Sequence, residues 1–337
     1  MSNRQARNVI VSAVRTPFAK MSGSLSSFTA PELGAMVIGE AVRRAGVAPE
    51  AVDNVLMGLV LQAGVGQIPS RQAAIKAGLP PSTASMTLNK VCASGMRAVT
   101  LADQLLSVED GEIMVAGGME SMTNAPYLLK KARGGYRMGH GELIDAMIHD
   151  GLWCAFHDVH MGIHGSTVAA EFGITREDQD AWSARSHQLA DKAWREGRFD
   201  QEVMAVDVPV GKNETKSFKM DESIRPDTTP ETLGKLRPAF SPDGTITAGN
   251  APGVNDGAAA LVIMSETKAQ ELGLKPLAAI VGHAKVGEKP PYLATVPALA
   301  IQKALKKAGL SVDDLDLLEI NEAFAAVTLT STKLLAD

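Results

Sequence analysis

Cysteine is scarce here: Cys92 and Cys154 are the only two among 337 residues. That excludes a disulfide framework and suits a reducing compartment, so a cytoplasmic setting is expected. No apolar run approaches the roughly 18 residues of a membrane-crossing helix. The opening MSNRQARNVIVSAVRTPF has no long apolar core of the kind an export signal carries. Positive charge is not in excess either. Lys and Arg number 33 against 38 Asp and Glu, a formal net charge of −5. A dedicated nucleic-acid binder needs a basic face to displace counterions, so neither nucleic acid nor membrane is expected as a partner. Aromatics make up only 4%, whereas glycine supplies 31 residues and 45% of the chain is apolar. This balance suits an α/β enzyme with close backbone packing, and the length suits about two domains.

Short β-branched runs alternate with longer helical patterns over the first part of the chain. Strands are expected at 9–14, 55–60, 83–88 and 112–116, and helices at 31–45, 67–77 and 93–106. Such alternation favours a mainly parallel sheet covered on both faces. Between 121 and 249 the sequence turns polar and punctuated, with one clear helix at 176–197 capped by Thr175 and Asp178. Sheet-like sequence returns at 257–264, so 121–249 reads as an insertion within a first domain of 1–268. A second domain is expected over 275–337.

A weak internal repeat runs through the chain. AVRRAGVAPEAVDNVLMG (41–58) matches ALKKAGLSVDDLDLLEIN (304–321) at a constant offset of 263 residues. Two readings are open: any helix–glycine–strand unit, or a duplicated half-fold related by a pseudo-two-fold axis. In the first copy 34 residues separate Gly58 from Cys92, and the same step from Asn321 passes Asp337. The second half is therefore expected to be truncated before its own active loop.

LNKVCASGMRAV (88–99) is the strongest nucleophile candidate. A short strand ends and Cys92 stands at a helix start, where backbone N–H groups and the helix dipole favour thiolate. The small residues that follow let a substrate carbonyl approach, so the Cys92 N–H is a candidate oxyanion donor. The alternative is an inert buried thiol. His157, His160 and His164 fall at i, i+3 and i+7, which imitates a metal site on one helix face. Gly162 and Gly165 weaken that helix and no ligand pair has a metal-site spacing, so no metal is assigned. Cys154 reads as a structural or surface thiol.

Seven pieces occur in order along the chain: VRTPF (14–18), LNKVCASGMRAV, GGMESMTNAPYLL (117–129), HMG (160–162), KLRPAF (235–240), TAGNAPGVNDGAAA (247–260) and NEAFA (321–325). Together they resemble the thiolase family. The resemblance implies a layered αβαβα fold of two similar halves with an inserted loop domain that holds coenzyme A. It implies acylation of Cys92 by an acyl-CoA, then condensation of two acetyl-CoA to acetoacetyl-CoA plus CoA, or the reverse thiolysis. It implies CoA thioesters as substrates, no separate cofactor, a role in fatty acid metabolism, and a homodimer or homotetramer. Asn321 would hold an oxyanion-hole water. His160 and Met161 would meet the reactive end of CoA, and Arg225 and Thr232 its adenine and phosphate end. Ala248 and Gly249 would lie beside pantetheine, and Ala323 and Phe324 would line the acyl channel. NEAFA on its own also reads as a helix N-cap followed by a first-turn Glu.

Two departures stand out. Pro252 replaces the serine that often follows GNA in the family, removing a hydroxyl and an N–H near pantetheine. The family's activating GHP histidine and second cysteine lie downstream of NEAFA and do not occur up to Asp337. Little turnover is therefore expected of the 337-residue chain alone. A degradative 3-ketoacyl-CoA thiolase of β-oxidation and a non-catalytic CoA-binding or scaffold protein are the alternatives.

Overall fold

The computed structural model describes residues 7–336, which divide into two compact units. The first comprises 7–151, 199–223 and 254–280; the second comprises 152–198, 224–253 and 281–336. The polar 121–249 stretch is thus shared between the units.

The first unit is built on a seven-stranded sheet. Its strands are β1 (Asn8–Arg15), β2 (Ala19–Lys20), β3 (Asn54–Gly58), β4 (Ala84–Leu88), β5 (Ile113–Ser121), β6 (Asn255–Ser265) and β7 (Ala278–Ala279). The order is β7-β1-β6-β5-β3-β4, with β2 against β6. β3 is parallel to both β4 and β5, but β6 runs antiparallel to β1 and β5 on either side. The expectation of a mainly parallel sheet holds for four long strands and is broken by β6. Its place depends on pairing residues 8–15 with 259–265, a separation no local pattern reports.

Helices cover both faces of this sheet. α1 (Ala30–Ala45) and α2 (Pro69–Lys76) pack over Val55, Met57 and Val115. α3 (Ser94–Ser107) packs over Leu56, Met114 and Ala116 on the other face. Neighbouring strand residues therefore point into different apolar clusters, as a period of two requires. α1 starts with a capping box in which Glu32 accepts the Thr29 N–H at 2.9 Å. It ends at Gly46, φ +68°, a left-handed stop.

Glu40 on α1 accepts from Arg43 at 2.7 Å and from Arg44 at 2.6 Å. Hydrogen bonding from Arg43, then Arg44, pulls its carboxyl down to about 2. A depressed acid pKa stabilises the fold above the unfolded value near 4.5 and loses that contribution as pH falls toward 2. Glu40→Gln is expected to cost about 0.5–1 kcal/mol at neutral pH. Urea titrations should show the difference between variant and parent vanishing as pH drops through 4.5 toward 2.

The second unit is mainly helical: α4 (Met161–Glu171), α5 (Arg176–Arg195), α6 (Pro230–Leu233), α7 (Val296–Ala308) and α8 (Ala325–Ala336). Val168, Ala169, Ile174, Ile246, Phe324 and Val327 form much of its core. The repeat is visible in local structure. Both α1 and α7 stop at a left-handed glycine, Gly46 and Gly309 (φ +70°). Each is followed by a 3-10 turn at the matching offset, Pro49–Ala51 and Val312–Asp314. The correspondence then fails, because 317–321, the counterpart of β3 at the same offset, form no strand. β3 is paired on both edges, whereas among the described residues no strand lies beside 317–321. Leu317 is left 92% exposed.

Candidate functional site

Cys92 sits in a turn fixed by side chains. β4 ends at Leu88, and Asn89 then folds back, its carboxamide oxygen accepting the Val91 N–H at 2.9 Å. The Asn89 amide donates to the Val60 carbonyl at 3.2 Å. Ser94 Oγ accepts from the Lys90 N–H at 2.8 Å and donates to the Val91 carbonyl at 2.5 Å. Val91 has φ +48°, a left-handed conformation that β-branched residues rarely adopt. Such strain persists only where surrounding bonds hold it. It turns Cys92 outward, and the residue is exposed.

The turn also needs Gly58. A Cβ there would meet the Ser94 carbonyl carbon at 2.5 Å and the Gly95 nitrogen at 2.6 Å, both backbone. Gly58→Ala is expected to push the start of α3 off β3, at a cost of roughly 1–3 kcal/mol. Thermal denaturation measures the cost, and faster or slower alkylation of Cys92 reports the displaced turn.

The thiol differs from the sequence expectation. The helix begins at Ser94, so Cys92 precedes even the cap, Ala93. Although the residue keeps open surface, packing around it desolvates the thiol and pushes its pKa above the ordinary value. The nearby backbone N–H of Cys92 pulls the other way, but less. The expected dipole-stabilised thiolate is therefore corrected to a thiol favoured by burial.

The other residues singled out in the sequence all lie in the second unit. His160 caps α4, its Nδ1 accepting the Gly162 N–H at 3.1 Å. That leaves the proton of the neutral ring on Nε2. Burial lowers the imidazole pKa, so the ring stays neutral more readily than usual. His160 stacks on Phe240, centroids 4.0 Å apart and 10° from parallel, and Phe240 meets Phe324 edge-on at 6.2 Å. Gly162 permits this, since a Cβ there would meet Phe240 at 2.1 Å. The glycine expected to weaken the helix instead admits an aromatic ring against it. Met161 and Ala323 pack on the same apolar cluster.

Asn321 is exposed and does not cap α8, which starts at Ala325. Glu322 beside it is anchored, accepting from Trp182 Nε1 and Ser186 Oγ, each at 2.7 Å. Thr232 spends its hydroxyl on the Thr229 cap of α6, donating to the Thr229 carbonyl at 2.8 Å. The Arg225 N–H donates to His187 Nδ1 at 3.2 Å. Ala248 is exposed, whereas Gly249 is buried against Leu233 and Leu236. Pro252 is exposed.

Two structural residues went unassigned in the sequence reading. Asn250 donates to Asp180 at 2.9 Å and to the Thr245 carbonyl at 3.0 Å, and accepts from the Thr247 N–H at 2.8 Å. Its own carbonyl receives the Ala325 N–H at 3.1 Å, so one side chain and its backbone tie α5 and α8 to the 245–249 turn. Glu120 accepts the Val60 and Leu61 N–H groups at 2.9 and 3.1 Å. Both belong to motifs quoted above, GNA and GGMES, and that was the available signal.

The family described as Thiolase, N-terminal domain, matches residues 8–267, and Thiolase, C-terminal domain, matches 274–336. The chain is 50% identical over 322 residues to an acetyl-CoA acetyltransferase of Allochromatium vinosum, covering 96% of this chain and 82% of that protein. It is 51% identical over 321 residues to that of Cupriavidus necator, with 95% and 82% covered. It is 50% identical over 326 residues to that of Escherichia coli strain K12, with 96% and 82% covered. The crystal structure of the Bacillus anthracis acetyl-CoA acetyltransferase superposes with a TM-score of 0.96 at 42% identity, over 99% of this chain and 84% of that one. With both family domains matched and half of all aligned positions identical, the chain belongs to the thiolase family.

Proposed function

We propose that this protein is an acyltransferase that condenses two acetyl-CoA to acetoacetyl-CoA and CoA, or runs the reverse thiolysis, through an acyl-Cys92 intermediate. The observation that carries the reading is the outward-facing Cys92 on its strained, side-chain-braced turn ahead of α3. The relatives named above are acetyl-CoA acetyltransferases, which supports acetyl as the group transferred.

Cys92 sulfur attacks the thioester carbonyl of the first acetyl-CoA, and CoA leaves as its thiol after taking up a proton. The acyl group stays activated because one thioester has replaced another. The α-carbon of a second acetyl-CoA then gives up a proton and attacks the acyl carbon, and Cys92 departs as a thiolate that takes the proton up, restoring the thiol. The Cys92 N–H lies beside the sulfur, a position suited to the charge that develops on the carbonyl oxygen. His160 offers a neutral Nε2–H donor, and Asn321 an exposed carboxamide to hold a water. In the same reading Met161, Arg225, Thr232, Ala248, Gly249, Ala323 and Phe324 contact CoA or the acyl chain. Copies of the chain assemble as a homodimer or homotetramer in the cytoplasm; no helix among the described residues is long and apolar enough to cross a membrane.

Incubation with acetyl-CoA, an acid quench and peptide mapping test the proposal. One acetyl group is expected on the Cys92 peptide and none on Cys154, which is buried. Absence of acetyl on Cys92, or equal acetylation of both cysteines, would sink it.

A further inference from the structure

A second group of reactive side chains takes no part in the proposed reaction. The chain forms a small hairpin, Trp153–Cys154 paired with Val159–His160, and runs from it directly into α4. His157 is at the hairpin tip and not on a helix, so the i, i+3, i+7 pattern does not describe the real geometry. The hairpin instead brings Cys154 toward His157 and, from the first turn of α4, His164. Cys154 Sγ is 3.9 Å from His157 Nδ1, and His157 Nδ1 is 3.2 Å from His164 Nε2. All three atoms lie within 4.8 Å of one another.

We infer that Cys154, His157 and His164 form a binding site for a borderline-soft divalent cation, Zn2+ in the first instance. A tetrahedral zinc with its usual bond lengths places two nitrogens about 3.3 Å apart and a nitrogen and sulfur about 3.6 Å apart. The two measured edges are within a few tenths of an ångström of these values. The third edge, between Cys154 and His164, is no longer than 4.8 Å. The donor set also selects the ion. One thiolate and two imidazoles suit zinc, whereas calcium and magnesium require oxygen ligands.

The frame is held in place before any ion arrives. Trp153 Nε1 donates to Asp158 Oδ1 at 2.8 Å, and the Asp158 N–H donates to the Cys154 carbonyl at 2.9 Å. Asp158 itself is left-handed, φ +54°, which tightens the hairpin tip. Cys154 and His164 are buried while His157 is exposed, so the ion enters from the His157 side. Three protein ligands leave the fourth position to water. A bound ion clamps the hairpin that carries His160 onto α4, so it also stiffens that neighbour.

Cobalt(II) provides the test, because it takes tetrahedral zinc sites and reports a thiolate ligand through a charge-transfer band. Chelator-treated full-length chain is titrated with Co2+, then with Zn2+. One equivalent of Co2+ is expected to give the charge-transfer and visible bands, and Zn2+ to abolish them. Cys154→Ser should lose the charge-transfer band, and the exposed-site variant His157→Ala should weaken Co2+ binding at least about tenfold. Cys92→Ser should keep the band, which separates this site from the exposed thiol. Circular dichroism checks that each variant is folded. The inference fails if the parent shows no thiolate band, if Cys154→Ser retains it, or if folded His157→Ala binds as the parent does.

Discussion

Cys92→Ala is expected to abolish the acetyl-enzyme, and with it any acetoacetyl-CoA thiolysis the chain supports, since losing a nucleophile removes the covalent route entirely. Stability should change little, because the residue is exposed and the turn is braced by Asn89 and Ser94. The pH dependence should be distinctive. Desolvation raises the thiol pKa, so at neutral pH the thiolate is rarer than for an ordinary cysteine. Alkylation by iodoacetamide should therefore keep accelerating as pH rises past 9, the ordinary thiol value. A rate that levels off below neutrality would mean a cationic group is stabilising the thiolate. Cys92 should still be labelled before Cys154, whose burial blocks the reagent. Rate and peptide mapping come from one quenched time course.

Arg15→Ala is expected to cost about 3–5 kcal/mol, the range for breaking a buried ion pair from one side. Arg15 binds Asp221 through two bonds of 2.8 and 3.1 Å and Glu202 through one of 2.7 Å. Its guanidinium lies over Phe18 and Phe199 at 5.0 and 5.2 Å. The side chain is only 13% exposed and that of Asp221 15%, so removing the cation strands a carboxylate with little water. This side chain fastens the 199–223 segment to β1. Urea denaturation should show the loss, and limited proteolysis should cut 199–223 first. Arg15→Lys should recover part of it, because a point charge cannot reproduce the planar fork. A cost below ~1 kcal/mol would show that burial of Val206, Val208 and Phe218 holds the segment without help.

Local pattern located most elements of the first unit. β1, α1, β3, β4, α3 and β5 lie within a few residues of their expected bounds, because each carries its own period and stop signals. Thr175 and Asp178 cap α5 as read. Cys92 was legible as a residue but not as an acid. Its pKa follows from desolvation by packing, which no spacing reports. His160 and Phe240 are 80 residues apart in sequence and stack at 4.0 Å, so only the folded chain joins them. Cys154 looked unconnected to the histidines because the pattern was read as a helix, and a hairpin obeys different spacing.

The two copies of the repeat also form an internal comparison of what makes a strand. NVLMG in β3 and its counterpart LLEIN (317–321) occupy the same place after a helix, a left-handed glycine and a 3-10 turn, yet only β3 has neighbours that accept and donate along both edges. In deuterated water the β3 amides should exchange over hours or longer, and those at 317–321 almost at once. The two counterpart segments would then report opposite protection, because the slow exchange belongs to the ladder and not to the place in the repeat.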